Sequence, residues 1–195
     1  MQSIFISISS ILALITYLIY GWSIVVGKTR PHRTTRFVLL LITSLGVASL
    51  FAGQDRVAIW LIGVCAVGAL VIFLLSLKYG MGGWAKIDIA CLIIAIIGIV
   101  VWQVTDSPVL GLYASVLADF VGMFPALIKT YRLPHTEYYL SYIFDISAAL
   151  FTLLAIQKWE VQGFAYPLYI FIINSIMLIL IIRPNIFSKK NIESV

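Results

Sequence analysis

The chain has 195 residues, of which 62% are hydrophobic and 11% are charged, and it carries a formal net charge of +5. An ordinary globular domain is roughly 25% charged, so this composition leaves too few polar residues to cover a water-soluble surface. It excludes a soluble globular protein and predicts an all-α membrane protein with several passes. The basic residues lie in short loops and the C-terminal tail, where they set topology, so no nucleic-acid partner is expected.

Seven apolar stretches are long enough to cross a bilayer as helices, which takes about 20 residues. The second and the fourth are the shortest. No positively charged segment precedes the first stretch and no small-residue cleavage site follows it, so we expect it to be retained as a span. The predicted spans are Ser3–Val26, Arg36–Gly53, Val57–Lys78, Ile87–Val104, Pro108–Ile128, Glu137–Gln157 and Phe164–Arg183.

Loops rich in lysine and arginine alternate with loops that are poor in them. Under the positive-inside bias, the rich loops and the tail are cytoplasmic. The N-terminus is then outside and the C-terminus cytoplasmic, which agrees with an odd number of spans. The basic residues are Lys28, Arg30, Arg33 and Arg36 in the first loop, Lys78 and Lys86 in the third, Lys129 and Arg132 in the fifth, and Arg183, Lys189 and Lys190 in the tail.

Two segments of the chain share an ordered set of identities, which indicates an internal repeat. The matches recur at an offset of about 101 to 103 residues. Both segments also end in glutamine after a run of small residues. The matching pairs are Gly21 and Gly122, Lys28 and Lys129, Thr29 and Thr130, His32 and His135, and Thr35 and Thr136.

The repeat predicts a 3+1+3 plan, in which two parallel triplets of helices flank a single linker helix. Parallel repeats of this kind are known in transporters, whose binding site lies between the repeats near the midplane. The predicted units are residues 1–80 for the first triplet, 81–106 for the linker helix, 107–184 for the second triplet and 185–195 for the tail.

Three predicted spans carry a polar side chain well inside the membrane, namely Asp119, Asp145 and Asn174. A charge in hydrocarbon costs at least about 2.5–3.5 kcal/mol, so such residues usually face a bundle interior or a water-filled cavity. At 1.5 Å of rise per residue, Asp145 lies roughly 12 Å from the cytoplasmic end of its span, and the other two lie near the centres of theirs. Similar depths on three helices predict one shared cavity.

Helical spacing adds further residues to this candidate site. Ser141 and Tyr138 precede Asp145 by four and seven residues, so the three share one helical face. Tyr142 is an aromatic residue that could stack on a ring-bearing solute. The candidate substrate-binding residues are therefore Asp119, Asp145, Asn174, Ser141, Tyr138 and Tyr142.

Structural roles are open for the same residues. Asp145 could be a neutral carboxyl bonded to a neighbouring hydroxyl, and Asp119 could join two helices. Asn174 could donate a cross-helix hydrogen bond, as asparagine does in membrane bundles. Pro125 removes one backbone hydrogen bond, and with Gly122 one turn before it forms a candidate hinge for alternating access or a static kink.

The run FPALIKTYRLPHTEYYLSYIFDISAALFTLLAI, which begins at Phe124, resembles the second PQ-loop of cystinosin-type lysosomal transporters. It is similar, more loosely, to the SWEET sugar transporters and the KDEL receptor. The family pattern has proline near a helix end, Ser/Thr-Glu after a short basic loop, and an aspartate followed by small residues. Here these positions are held by Pro125, by Thr136 and Glu137, and by Asp145 and Ala148.

The resemblance covers helices five to seven well and the first half of the chain less closely. Ala126 stands where the family has glutamine, and Thr43 and Ser44 stand near the position that matches Asp145. The polar site is therefore expected in the second triplet, with the first triplet mainly packing. The resemblance implies a SWEET-like fold and transport of a small solute, with protons coupled through Asp145.

We therefore expect a small-solute membrane transporter that works by alternating access. The alternative is a membrane receptor or sorting protein of the same fold that binds a ligand without transport. Paired intramembrane aspartates also occur in aspartyl proteases, but the Gly-x-Gly-Asp signature is absent, so no enzyme is expected. His32 and His135 lack partners at metal-ligand spacing, so no metal and no cofactor are expected. The expected partners are a small polar solute, protons and membrane lipid, and a homo-oligomer is left open.

Overall fold

The computed structural model describes residues 2–52, 56–83, 85–104, 108–158 and 160–192. Within these ranges the chain forms seven α-helices and no β-strand, with one short 3-10 helix, Pro134–Thr136, before the sixth helix. The helices are α1 (Gln2–Val25), α2 (Arg33–Ala52), α3 (Arg56–Tyr79), α4 (Lys86–Val104), α5 (Pro108–Arg132), α6 (Tyr139–Leu154) and α7 (Val161–Ile192).

The all-helical prediction is confirmed for the described residues, and each predicted span corresponds to one helix. Two of these helices are long and apolar enough to cross a membrane, over Gln2–Val25 and Gly163–Pro184. The predicted end of the second span at Gly53 lies outside the described residues. So do residues 105 and 106 of the predicted linker and residues 193–195 of the predicted tail.

The start of α6 differs from the prediction that placed Glu137 in a helix. Glu137 has extended backbone angles, φ −130° and ψ 143°, and α6 begins only at Tyr139. The Glu137 carboxylate pairs with Lys129 and accepts a hydrogen bond from Tyr20 of α1. These contacts hold the backbone of Glu137 in the connection, which apolar periodicity alone does not reveal.

The end of α7 also differs from the prediction, which began a separate tail at residue 185. The helix continues through Pro184 to Ile192. A proline inside a helix removes one backbone hydrogen bond and kinks the helix more often than it ends it. Hydropathy falls after Arg183, so the apolar span ends there even though the helix does not.

The seven helices pack in two groups of three with one additional helix. In the part of the chain that the structure describes, α3 contacts both α1 and α2, which do not contact each other. In the same way α7 contacts both α5 and α6, which do not contact each other. Between the groups, α1 packs on α6 and α2 packs on α5, while α4 lies against α5 and α2.

A close contact between α2 and α5 joins the two groups. A Cβ atom added at Gly122 of α5 would lie 2.5 Å from Cγ1 of Val38 on α2. Val38 is itself fully buried, so it has no free space into which it could move. Small residues allow this kind of approach between membrane helices.

We therefore expect Gly122→Ala to destabilise the protein by about 1–3 kcal/mol, the usual cost of overpacking a core. The measurement is unfolding of the purified protein in detergent, followed by helical circular dichroism. Gly21→Ala is the matched control, because Gly21 is also a helix-interior glycine but has nothing within 4 Å of the added Cβ. Equal stability of the two variants would contradict the close packing of α2 on α5.

Candidate functional site

A cavity of about 310 Å³ lies between the two groups of helices. Small-molecule sites in proteins typically measure roughly 300–1,000 Å³. Most of its wall is apolar, and its polar side chains come equally from the two halves of the chain. They are Thr16, Tyr17, Tyr20, Arg36, Thr43 and Cys65 from the first half, and Asp119, Ser141, Tyr142, Asp145, Tyr166 and Asn174 from the second.

Five of the six predicted site residues meet in this cavity. Asp119, Asp145 and Asn174 come from α5, α6 and α7, and Ser141 and Tyr142 join them from α6. The prediction of one shared cavity from similar depth therefore agrees with the geometry. It relied on the constant rise of a helix, which places residues at comparable levels once the ends of each span are known.

Tyr138 is the predicted site residue that does not line the cavity. It is the residue before α6, and its ring packs edge-on against Trp22 at a centroid distance of 6.0 Å. Nζ of Lys28 lies 5.0 Å from the centroid of the same ring. Its predicted place beside Asp145 assumed helical spacing, and the helix begins too late for that spacing to apply.

Asp119 and Asn174 are held in place by neighbouring groups. Asp119 is 2% exposed and accepts a hydrogen bond from the hydroxyl of Tyr169 on α7. The side-chain amide of Asn174 donates to the carbonyl oxygen of Ile170 at 2.9 Å. Because that bond is internal to α7, the amide oxygen of Asn174 is left to face the cavity.

A buried ion pair lies behind one wall of the cavity. Glu137 pairs with Lys129, and the two residues are 5% and 6% exposed. The hydroxyls of Tyr20 and Tyr142 donate to Oε2 of Glu137 at 3.2 and 3.0 Å. Both tyrosines also line the cavity, so the ion pair is connected to the cavity wall through them.

The same ion pair ties the two halves of the chain together. Nζ of Lys129 donates to the carbonyl oxygen of Arg30 at 2.8 Å, and the amide of Arg30 donates to the carbonyl oxygen of Thr136 at 2.9 Å. Arg30 belongs to the α1–α2 connection, and Thr136 to the α5–α6 connection. Separation of the two halves at this end must therefore break a buried charged network.

The candidate hinge residues lie in tightly packed surroundings. Gly122 contacts α2 as described above, and Pro125 is fully buried one turn later in α5. The helix continues through both residues to Arg132. Hinge motion at this point is an untested prediction, because the geometry describes a single packed state.

His32 packs against Asp88 in a second buried pair, outside the cavity. Its Nε2 lies 3.4 Å from Oδ1 of Asp88, whose other oxygen accepts hydrogen bonds from the amides of Gly83 and Ala85. Burial lowers the pKa of His32, so the imidazole is neutral at pH 7. No group of three or more His, Cys, Asp and Glu residues in the described ranges could hold a metal ion.

Two charged residues of this region are misplaced by the sequence patterns. Arg36 is predicted at the edge of the first loop, yet it lines the cavity from the first turn of α2. Glu137 is predicted to start a helix, yet it forms the buried ion pair. A charge at the end of an apolar run indicates topology in the sequence, and only the packing of α1 and α6 reveals the other role. Comparisons with family models, with curated proteins and with solved structures find no match for this chain.

Proposed function

We propose that the chain is a small-solute membrane transporter with seven spans, arranged as two parallel triplets joined by a linker helix. The helix contacts support this arrangement, because the third helix of each group packs between the other two. The contacts between groups are also paired, since α1 lies on α6 as α5 lies on α2. A two-fold relation between parallel repeats would produce both features.

The apolar surface supports a lipid environment. The linker helix α4 exposes a run of large aliphatic side chains, and water would make such a continuous patch costly. The exposed residues of this helix include Ile89, Ile93, Ile94, Ile97, Val100 and Val101. By the positive-inside bias, the end that carries Lys129 and Glu137 is cytoplasmic, with the N-terminus outside and the C-terminus inside.

The observation that carries the proposal is the cavity between the two groups. Transporters of the repeat type bind solutes at the repeat interface and open to alternate sides as one repeat moves against the other. Asp119, Asp145 and Asn174 from one group and Arg36 from the other could bind a polar solute together. The network of Lys129 and Glu137 would then close the cytoplasmic side and break when that side opens.

The test is solute flux into liposomes that contain the purified protein. A thermal-shift screen of small solutes at two pH values identifies candidates, and uptake is then measured with and without an inward proton gradient. Saturable uptake that protein-free liposomes lack supports a transporter, and its increase with the gradient supports proton coupling. Saturable binding with no flux under either condition would favour the receptor of the same fold.

A further inference from the structure

Arg36 is the sole lysine or arginine among the described residues that line the cavity. Its guanidinium stacks on the ring of Tyr20, with 4.1 Å from its central carbon to the ring centroid. Its Nε is buried and has no hydrogen-bond partner. A planar donor group of this kind is matched in shape by a carboxylate, so the missing partner has a defined chemistry.

The acidic groups near the cavity do not provide that partner. In the part of the chain that the structure describes, no carboxylate lies within 4.0 Å of the Arg36 guanidinium. Glu137 is paired with Lys129 and accepts hydrogen bonds from two tyrosines. Asp119 accepts its hydrogen bond from Tyr169.

The position of Arg36 on its helix adds to the same conclusion. The residue lies in the first turn of α2, where the helix dipole favours negative charge and opposes a cation. The helix therefore gains nothing from an arginine here. An anion bound beside Arg36 would interact favourably with both the guanidinium and the helix terminus.

We propose that the solute carries a carboxylate and that Arg36 binds it. This inference deepens the proposed function and rests on it for the word solute, although the binding site itself does not require transport. Tyr17 and Tyr166 line the same cavity and would contact the less polar remainder of the molecule. Asp119 and Asp145 disfavour a second anionic group, so the solute is a monocarboxylate or carries a compensating positive charge.

The test compares acids with their uncharged amides in binding to the purified protein at pH 7. The probes are acetate against acetamide and benzoate against benzamide, measured by calorimetric titration. We expect at least one acid to bind the wild type about tenfold or more tightly than its amide, since the amide loses the charge-assisted bond. Arg36→Gln should remove that preference, and Arg36→Lys should keep part of it.

Arg183→Gln is the matched control. Arg183 also stacks on a tyrosine, with 4.3 Å to the ring of Tyr131, but it does not line the cavity. This variant should keep the preference for the acid. Helical circular dichroism of each variant identifies any that fails to fold, and Arg36→Lys carries the comparison if Arg36→Gln does so.

Several outcomes would overturn the proposal. They are a wild type that binds neither acid, a wild type that binds acid and amide equally, and an Arg36→Gln variant that keeps the preference. Flux separates this result from the proposed function. A neutral solute transported equally by wild type and Arg36→Gln would refute the anion site alone, whereas a carboxylate bound through Arg36 but never transported would refute transport alone.

Discussion

Lys129→Met is expected to lower the free energy of unfolding by about 3–5 kcal/mol. The variant leaves the Glu137 carboxylate buried without its cation, and the two tyrosine hydroxyls that bind it do not replace a full charge. The measurement is denaturant or thermal unfolding in detergent. The effect is large because both members of the pair are nearly inaccessible to solvent.

Two variants test whether the loss comes from the unpaired charge. The double substitution Lys129→Met with Glu137→Gln removes both charges and should recover most of the lost stability. Lys28→Met is the matched control, because Lys28 occupies the corresponding position of the sequence repeat but is exposed. It should change stability by no more than about 0.5 kcal/mol. Equal losses from Lys28→Met and Lys129→Met would refute the buried pair.

Asp145→Asn is expected to abolish uptake driven by a proton gradient, by at least about tenfold, while leaving the fold intact. The amide has nearly the same shape as the carboxyl group, but it cannot bind and release a proton. Uptake into liposomes with an inward proton gradient is the measurement. Exchange of labelled for unlabelled solute without a gradient should persist, because that exchange needs no net proton movement.

Asp119→Asn distinguishes the two aspartates. Asp119 lines the same cavity and accepts a hydrogen bond from Tyr169, and an asparagine oxygen can accept the same bond. Gradient-driven uptake should therefore survive this substitution. Unchanged gradient-driven uptake in Asp145→Asn would remove proton coupling from that residue, and its loss in Asp119→Asn alone would assign coupling to α5.

The helices were predictable because each span is written in consecutive residues. An apolar stretch of bilayer length specifies a helix whatever its neighbours are, and the depth of a polar residue follows from counting. That reasoning brought Asp119, Asp145 and Asn174 to one cavity. It needs no knowledge of which helix lies beside which.

The remaining part of the site depends on contacts between distant segments. Tyr20 and Tyr142 reach Glu137 from two helices that are 122 residues apart in the chain at these positions, as 142 − 20 = 122. No local pattern indicates that Glu137 is buried. Arg36 is a similar case, because its place in the cavity depends on how α2 packs on α5, and α5 approaches closely only where Gly122 lacks a side chain.

The length of α7 has a consequence for following motion in this protein. Its 32 residues extend over roughly 48 Å at 1.5 Å each, against a hydrocarbon layer of about 30 Å. The last turns therefore project beyond the lipid as a stiff arm attached to the wall that carries Asn174. A fluorophore placed on those turns would rotate with that wall, so its polarisation would report tilting of the helix directly.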